Sequence, residues 1–281
     1  MESSIFLDQL VKIAEQAKPA AVLEGDYIGE DGLIYCGNCH MKKQHRLNFQ
    51  GREMTVPVVC KCEAEKRAAE EEKQRKEEEL RRIRQTKTTC IHDRALLQCT
   101  FEADDGSLPQ LASARRYVET WEKRKAENIG LLLWGPVGTG KSFYAGCIAN
   151  ALIDRRVPVL MTNFPKILNK LSGMFSEDRN VFIADMMRYS LLIIDDFGIE
   201  RGSEYALEQV YNVIDERYKT KLPLIITTNL SLDTLKNPPD IAHQRIYDRI
   251  LSMCVPVKFS GASRRNKEKE QKYHSCRELF E

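Results

Sequence analysis

The sequence lacks the features of membrane and secreted proteins. It has no apolar run near the roughly 20 residues that span a bilayer. Its first residues mix Asp8, Lys12 and Glu15 with scattered apolar side chains, so they lack the basic start and long apolar core of a secretion signal. We therefore expect a cytoplasmic protein that does not associate with a membrane.

Internal repeats and a large excess of charge are missing as well. The formal net charge is +2, so charge alone does not indicate a nucleic-acid-binding protein. The chain has 281 residues, of which 42% are hydrophobic, and this is enough for one sizeable domain and a smaller one.

The most specific motif is a complete G-x-x-x-x-G-K-[ST] phosphate-binding loop. The apolar run Ile129–Trp134 precedes it and a helical pattern follows from Phe143, which is the strand–loop–helix context that the motif requires. In such a loop, glycines let backbone N–H groups face the phosphates, the lysine neutralises phosphate oxygens and the serine hydroxyl binds Mg²⁺. The loop consists of Gly135, Pro136, Val137, Gly138, Thr139, Gly140, Lys141 and Ser142. We therefore expect ATP and Mg²⁺ as ligands.

Polar residues follow two further apolar strands. Asp195 and Asp196 end the run Leu191–Ile194, which is apolar enough to be buried on both faces of a parallel sheet. Asp195 is the predicted second Mg²⁺ ligand beside Ser142, and Asp196 is predicted to polarise the attacking water. A role for Asp196 as a cap of the next turn is the alternative. Asn229 follows the strand Leu224–Thr228, where its side chain can orient the same water.

The order of these motifs resembles the AAA+ ATPase superfamily. Within it, the segments Leu131–Ser142 and Ile194–Gly198 resemble the DnaC/DnaI-type replicative helicase loaders and the related IstB transposition ATPases. The resemblance covers roughly residues 90–270 and is specific to the clade rather than to one member. It implies ATP hydrolysis used as a conformational switch, with Asn229 in the sensor-1 position.

The resemblance also suggests roles for two arginines. Residues 261–265 resemble the G-x-S-x-R ending of the loaders, which implies that Arg265 is the sensor-2 contact to the γ-phosphate. Arg249 corresponds to the arginine finger that reaches the ATP of a neighbouring subunit, with Arg245 as the second candidate. A finger of this kind requires self-assembly into an ATP-bridged oligomer. Surface ion pairs are the alternative explanation for both residues.

The second half of the chain alternates strand and helix patterns, which predicts an α/β fold. We expect a parallel sheet with helices on both faces and the nucleotide at the carboxyl ends of its strands. About twenty residues follow the last predicted strand, which are too few for the helical lid of many AAA+ proteins. Little or no C-terminal lid is therefore expected.

Nine cysteines are present, and four of them form two close pairs. A reducing compartment disfavours disulfides, and two close pairs can place four thiolates around one tetrahedral ion. The predicted zinc ligands are Cys36, Cys39, Cys60 and Cys62. The C-x-C spacing of the second pair is tighter than usual, which leaves His40 or His45 open as a substitute ligand. Ordinary buried cysteines and a redox pair are the alternatives.

A charged stretch separates the cysteine pairs from the ATPase motifs. Acidic and basic residues at i,i+4 spacing predict a solvated single helix, and the absence of a sustained heptad favours a spacer over a coiled coil. We therefore divide the chain into a zinc-binding amino-terminal module (residues 1–62), a helical linker (63–89) and an AAA+ domain (90–281).

The leading functional hypothesis is an ATP-dependent loader of a hexameric replicative helicase. The amino-terminal module would bind the helicase, and Lys166, Lys170 and the basic tail after Arg264 would bind single-stranded DNA non-specifically through its phosphates. An IstB-like transposition helper is the first alternative. A small-molecule P-loop kinase and a non-catalytic zinc-dependent adaptor are less favoured.

Overall fold

The computed structural model describes residues 22–49, 51–104, 106, 108–198, 203–261, 263, 273 and 276. These residues form two compact units that divide after Leu80, within a 30-residue helix. Among them we find no helix that combines the length and the apolar character needed to traverse a bilayer.

Two short antiparallel hairpins form the amino-terminal unit. Their strands are β1 (Tyr27–Ile28), β2 (Ile34–Tyr35), β3 (Gln44–Phe49) and β4 (Arg52–Pro57). Lys43 donates to the Asp26 carboxylate across 2.7 Å, and both side chains are less than a tenth exposed. Asp26 also accepts from the backbone N–H of Leu23 and Gly37. A buried ion pair of this kind is costly to break, because either partner alone would be left unpaired.

The charged stretch is a helix, as predicted, but it is longer than predicted. Helix α1 (Lys61–Cys90) begins two residues before the predicted linker, so Cys62 lies in its first turn. Exposed ion pairs line the helix, including Glu72 with Lys76 at 3.4 Å. Such pairs contribute little stability individually. The boundaries at residues 62 and 89 stay predictions.

The carboxy-terminal unit is built on a five-stranded parallel sheet. Its strands are β5 (Gly130–Trp134), β6 (Val159–Thr162), β7 (Leu191–Phe197), β8 (Leu224–Thr228) and β9 (Cys254–Lys258). Their order across the sheet is β6-β7-β8-β5-β9. All neighbouring pairs are parallel, so the polar residues at the carboxyl ends of β5, β7 and β8 lie at the same edge of the sheet.

Helices cover both faces of this sheet, so the predicted α/β fold is confirmed. They are α2 (Leu111–Glu119), α3 (Trp121–Ala126), α4 (Lys141–Asp154), α5 (Phe164–Ser172), α6 (Ser176–Met187), α7 (Glu204–Thr220), α8 (Leu232–Lys236) and α9 (Ile241–Met253). Alternate residues of strands β5 to β8 enter two separate cores. Leu131 and Leu133 pack with α2 to α4, whereas Leu132 packs with α5 to α9. Burial on both faces explains why the strands are almost wholly apolar.

A buried arginine fixes the amino-terminal ends of two central strands. Arg217 on α7 is fully buried and donates to the carbonyl oxygens of Tyr189, Ser190 and Pro223 at 2.6–3.2 Å. Burial lowers the pKa of Arg217 to about 10. The four hydrogen bonds offset part of the cost of burying this charge.

Candidate ATP-binding site and cysteine cluster

The phosphate-binding loop joins β5 to α4 and is closely covered by the chain after β9. A Cβ atom on Gly135 would lie 2.0 Å from the carbonyl oxygen of Phe259, and one on Gly138 would lie 2.0 Å from the hydroxyl oxygen of Ser263. Both glycines also have positive φ angles, of 139° and 81°. Side chains at these positions are therefore excluded by space as well as by backbone conformation.

Lys141 lies inside the loop and is only 7% exposed. Its ammonium group donates to the carbonyl oxygens of Gly135 and Pro136 and to Oδ1 of Asn229, each at 2.8 Å. Asn229 in turn donates from Nδ2 to the Asp196 carboxylate at 3.1 Å. The structure thus brings together the predicted phosphate-binding lysine, the sensor-1 candidate and the candidate for water activation.

Asp195 lies beside Ser142, as a shared metal site requires. The Ser142 side chain is near enough to lower the pKa of the Asp195 carboxyl, and the Thr227 hydroxyl donates to Asp195 Oδ1 at 2.6 Å. Burial raises the pKa of the Asp195 carboxyl, against the lowering effect of these contacts. A hydroxyl and a carboxylate are oxygen donors of the type that Mg²⁺ prefers, so this pair fits the predicted ion.

Asp196 is more exposed than Asp195 and has an unusual backbone. Its φ angle is +60°, in the left-handed region that few non-glycine residues adopt. Its backbone N–H donates to the Thr227 hydroxyl at 2.9 Å. Non-glycine residues in this conformation are strained and are concentrated at functional sites.

The two finger candidates differ in their surroundings. Arg249 donates to the Asp215 carboxylate at 2.6 Å and to the Tyr211 hydroxyl at 3.0 Å, and its side chain is 24% exposed. Arg245, one turn earlier on α9, is exposed. The roles of Arg245 and Arg249 as arginine fingers stay predictions. Arg265 lies outside the described residues.

The four predicted zinc ligands lie together in the amino-terminal unit. The sulfur atoms of Cys36, Cys39 and Cys62 are all within 4.8 Å of one another, whereas Cys60 lies near Cys36 and Cys39 but outside this close group. Cys36 and Cys39 belong to a tight turn closed by a bond from the His40 N–H to the Cys36 carbonyl at 2.9 Å. Cys60 and Cys62 flank the start of α1.

The surroundings favour the thiolate form at Cys39 but not at Cys62, whose pKa is raised to about 11 mainly by its contact with Cys39. Backbone N–H groups of Cys62 and Met41 donate to the Cys39 sulfur and lower its pKa to about 6. A thiolate is the form that binds zinc, so the donor set fits a tetrahedral zinc ion. The ring of His40 instead faces Tyr27, with Nδ1 3.2 Å from the phenol oxygen, and His45 is an exposed residue of β3. Neither histidine joins the three cysteines in the group of candidate metal ligands within the described chain.

Three contacts of the site do not follow from the motifs. Thr227 bonds to both aspartates, Asp215 pairs with Arg249, and Ser263 covers Gly138. Thr227 could have been noticed in the sequence, because it and Thr228 are polar residues that end an otherwise apolar buried strand. The other two contacts join residues 34 or more positions apart, for which the sequence gives no marker.

The loop, the paired aspartates and Asn229 at the carboxyl ends of three adjacent parallel strands define a P-loop ATP-binding domain of the AAA+ type. The profile of the IstB-like ATP binding protein family matches residues 53–272. The chain therefore belongs to this family.

Curated relatives include both helicase loaders and an insertion-sequence protein. The chain is 26% identical to the replicative helicase loader DnaI of Bacillus subtilis, over 61% of this chain and 60% of that protein. It is 26% identical to the replicative helicase loader DnaC of Escherichia coli K12, over 68% of this chain and 75% of the relative. A protein of Mycobacterium tuberculosis described as a putative ATP-binding protein in an insertion sequence is 25% identical, over 61% and 70% of the two chains.

Solved structures agree with the fold. A crystal structure of DnaI superposes with a TM-score of 0.50 at 25% identity, covering 61% of this chain and 93% of that one. A crystal structure of the DnaC helicase loader has the same TM-score at 20% identity, covering 60% and 100%.

Replacing Lys141 tests the nucleotide site. Lys141→Ala should lower ATP affinity by about 100-fold or more, because charge-assisted contacts to phosphate are lost, while the protein remains folded. Titration with a fluorescent ATP analogue measures the affinity, and circular dichroism checks the fold. The control is Lys123→Ala, which removes an exposed lysine of α3 paired with Glu127 at 3.9 Å. Micromolar ATP affinity in Lys141→Ala would contradict the assignment.

Proposed function

We propose that this protein is an ATP-dependent loader of a hexameric replicative helicase, acting in the cytoplasm. The observation that carries the proposal is an intact ATP site on the same chain as a separate unit with clustered cysteines. Similarity to two proteins named replicative helicase loaders supports this function. Modest identity, and coverage of 60% of the Bacillus subtilis protein, make the role a proposal for this chain.

A transposition helper ATPase is the second candidate. It is favoured by the family match and by the relative from an insertion sequence. Both candidates use ATP as a switch, and the family match favours them over a small-molecule kinase. The partner distinguishes them, because a loader binds a hexameric helicase and a transposition helper acts with a transposase.

The geometry supports a separate role for each residue of the site in ATP hydrolysis. Ser142 and Asp195 would hold Mg²⁺, which supplies positive charge to the phosphates when bound. Lys141 holds the phosphate oxygens, and Asp196 accepts a proton from the attacking water. Asn229 bonds to both Lys141 and Asp196, so it can couple the state of the phosphates to the residue that activates water.

A complementation experiment tests the arginine finger. Asp196→Asn should bind ATP but hydrolyse it about 100-fold more slowly, because the base is removed. The Asp196→Asn variant still carries both finger candidates, Arg245 and Arg249. Arg249→Ala keeps its own ATP-binding residues but should also hydrolyse ATP slowly, because no subunit of its assembly supplies an arginine finger to the neighbouring site. Mixing the two inactive proteins should restore turnover at the Arg249→Ala sites that are completed by Asp196→Asn subunits, as measured by phosphate release.

The same mixture with Arg245→Ala distinguishes the two candidates. If Arg249→Ala is active alone and the mixture restores the activity of Arg245→Ala, then Arg245 is the arginine finger. Arg249 would then serve only as the partner of Asp215. Arg188→Ala is the control, because Arg188 is exposed and has an ion pair within its own turn, to Asp185 at 3.3 Å. Absence of rescue for both variants would contradict a finger acting between subunits.

We propose that single-stranded DNA binds near the turn between α5 and α6. Lys166 and Lys170 lie on α5, and Phe175 in this turn is 84% exposed. Lysines with an exposed aromatic side chain are the usual elements of non-specific single-strand binding, because any base can stack on the ring. The basic tail that was also expected to contribute lies largely outside the described residues.

Phe175→Ala should weaken binding of a thymidine oligonucleotide about tenfold, as expected for the loss of one stacked base. Fluorescence anisotropy at fixed salt measures the affinity. Val181→Ala removes an exposed apolar side chain of α6 and should have no effect. Equal affinity of the two variants would contradict a stacking role for Phe175.

The amino-terminal unit is proposed to bind zinc through Cys36, Cys39, Cys60 and Cys62, and to bind the helicase. Elemental analysis should find one zinc per chain, and Cys36→Ser should lose it because three thiolates hold the ion less tightly. The variant should keep ATP affinity but no longer co-purify with a hexameric replicative helicase.

Cys276→Ser, at an exposed cysteine of the carboxy-terminal unit, is the control. Zinc missing from the unaltered protein, or ATP affinity lost together with zinc, would contradict this division of labour. Zinc-dependent capture of a transposase instead of a helicase would favour the transposition helper.

A further inference from the structure

The pairing of β7 with β8 is interrupted where the two aspartates lie. Ile194 of β7 pairs with Ile226 of β8, and the next pair is Phe197 with Thr228. Two residues of β7 therefore lie between these pairs, but only Thr227 of β8 does. Asp195 and Asp196 therefore oppose a single residue, which is the defining feature of a β-bulge. A bulge leaves backbone groups without their ladder partners and turns the side chains of the longer strand.

The hydroxyl group of Thr227 occupies this bulge. It accepts a hydrogen bond from the Asp196 backbone N–H at 2.9 Å and donates one to Asp195 Oδ1 at 2.6 Å. Thr227 is 1% exposed, so water does not readily replace either bond. One hydroxyl thus satisfies the unpaired N–H of the bulge and fixes the direction of the neighbouring carboxylate.

We propose that Thr227 is a positioning residue that sets the geometry of both aspartates and thereby determines how strongly Mg²⁺ promotes ATP binding. The Thr227 hydroxyl donates to one oxygen of the Asp195 carboxylate, which restrains its rotation. Asp196 is held at its backbone by Thr227 and at its carboxylate by Asn229. The inference rests on the ATP and Mg²⁺ site proposed above.

Thr227→Val keeps the shape of the side chain and removes the hydroxyl. The affinity for a fluorescent ATP analogue is measured in Mg²⁺ and in EDTA, and the ratio of the two affinities gives the enhancement by Mg²⁺. This enhancement should fall about tenfold in Thr227→Val, as expected for the loss of a hydrogen bond to a charged group, while affinity in EDTA is unchanged. Thr227→Ser keeps the hydroxyl and should restore the enhancement.

Thr162→Val is the matched control. Thr162 is a buried threonine at the end of β6, and its hydroxyl lies 2.9 Å from His92 Nδ1. An equal loss of enhancement in Thr162→Val would overturn the proposal, because the effect would then reflect the sheet in general. Full enhancement in Thr227→Val would also overturn it. A wild-type protein that binds ATP equally in Mg²⁺ and EDTA would instead overturn the metal site itself.

Amide hydrogen exchange gives a second readout that needs no nucleotide. The Asp196 N–H should be protected in the wild type and in Thr227→Ser, and it should exchange at least about tenfold faster in Thr227→Val. This measurement on the wild type alone keeps the proposal testable if Thr227→Val fails to fold. Exchange of the wild-type Asp196 amide at the rate of an exposed amide would overturn the hydroxyl bridge.

Discussion

The site depends on how a buried ammonium group is surrounded by oxygen atoms. Lys141 is almost inaccessible to water, so its hydrogen bonds must come from the protein, and its acceptors include two loop carbonyls and Asn229. Two of these acceptors follow β5 and the third follows β8, so the loop is tied to the neighbouring strand. The amide of Asn229 then has a fixed orientation, with oxygen towards the lysine and nitrogen towards Asp196. A reversed amide would place a donor against the ammonium group.

The amino-terminal unit is stabilised in a different way, because its two hairpins are too small to form a hydrophobic core. Within its described residues, the buried apolar side chains are Leu33 and Ile34, beside the thiols of Cys36 and Cys60. A unit with so little apolar burial needs another source of stability. The Asp26–Lys43 pair and the clustered sulfurs supply directional contacts in place of packing, and a bound metal would add folding free energy directly.

The phosphate-binding loop and the two polar strand ends could be predicted because their residues are close in sequence and their spacing follows the chemistry. The bulge at Asp195 could not, because it arises only when β7 pairs with β8, about thirty residues away. The same holds for Arg249, whose contact with Asp215 crosses from α9 to α7. Helix α2 was missed although its buried Leu111, Ala114 and Val118 have helical spacing. Cys62 ends the predicted amino-terminal module, but it lies in the first turn of α1, where backbone N–H groups are unpaired.

The left-handed backbone at Asp196 has a consequence for sequence drift in this family. Aspartate, asparagine and glycine adopt this conformation at lower cost than other residues, whereas the longer glutamate is less well suited to it. A glutamate at this position would therefore fit the backbone less well than the aspartate that is present. Asparagine and glycine fit the backbone but carry no carboxylate. At this position, the substitutions that the fold tolerates best are those that remove the carboxylate, so the backbone that holds Asp196 does not by itself preserve an acid there.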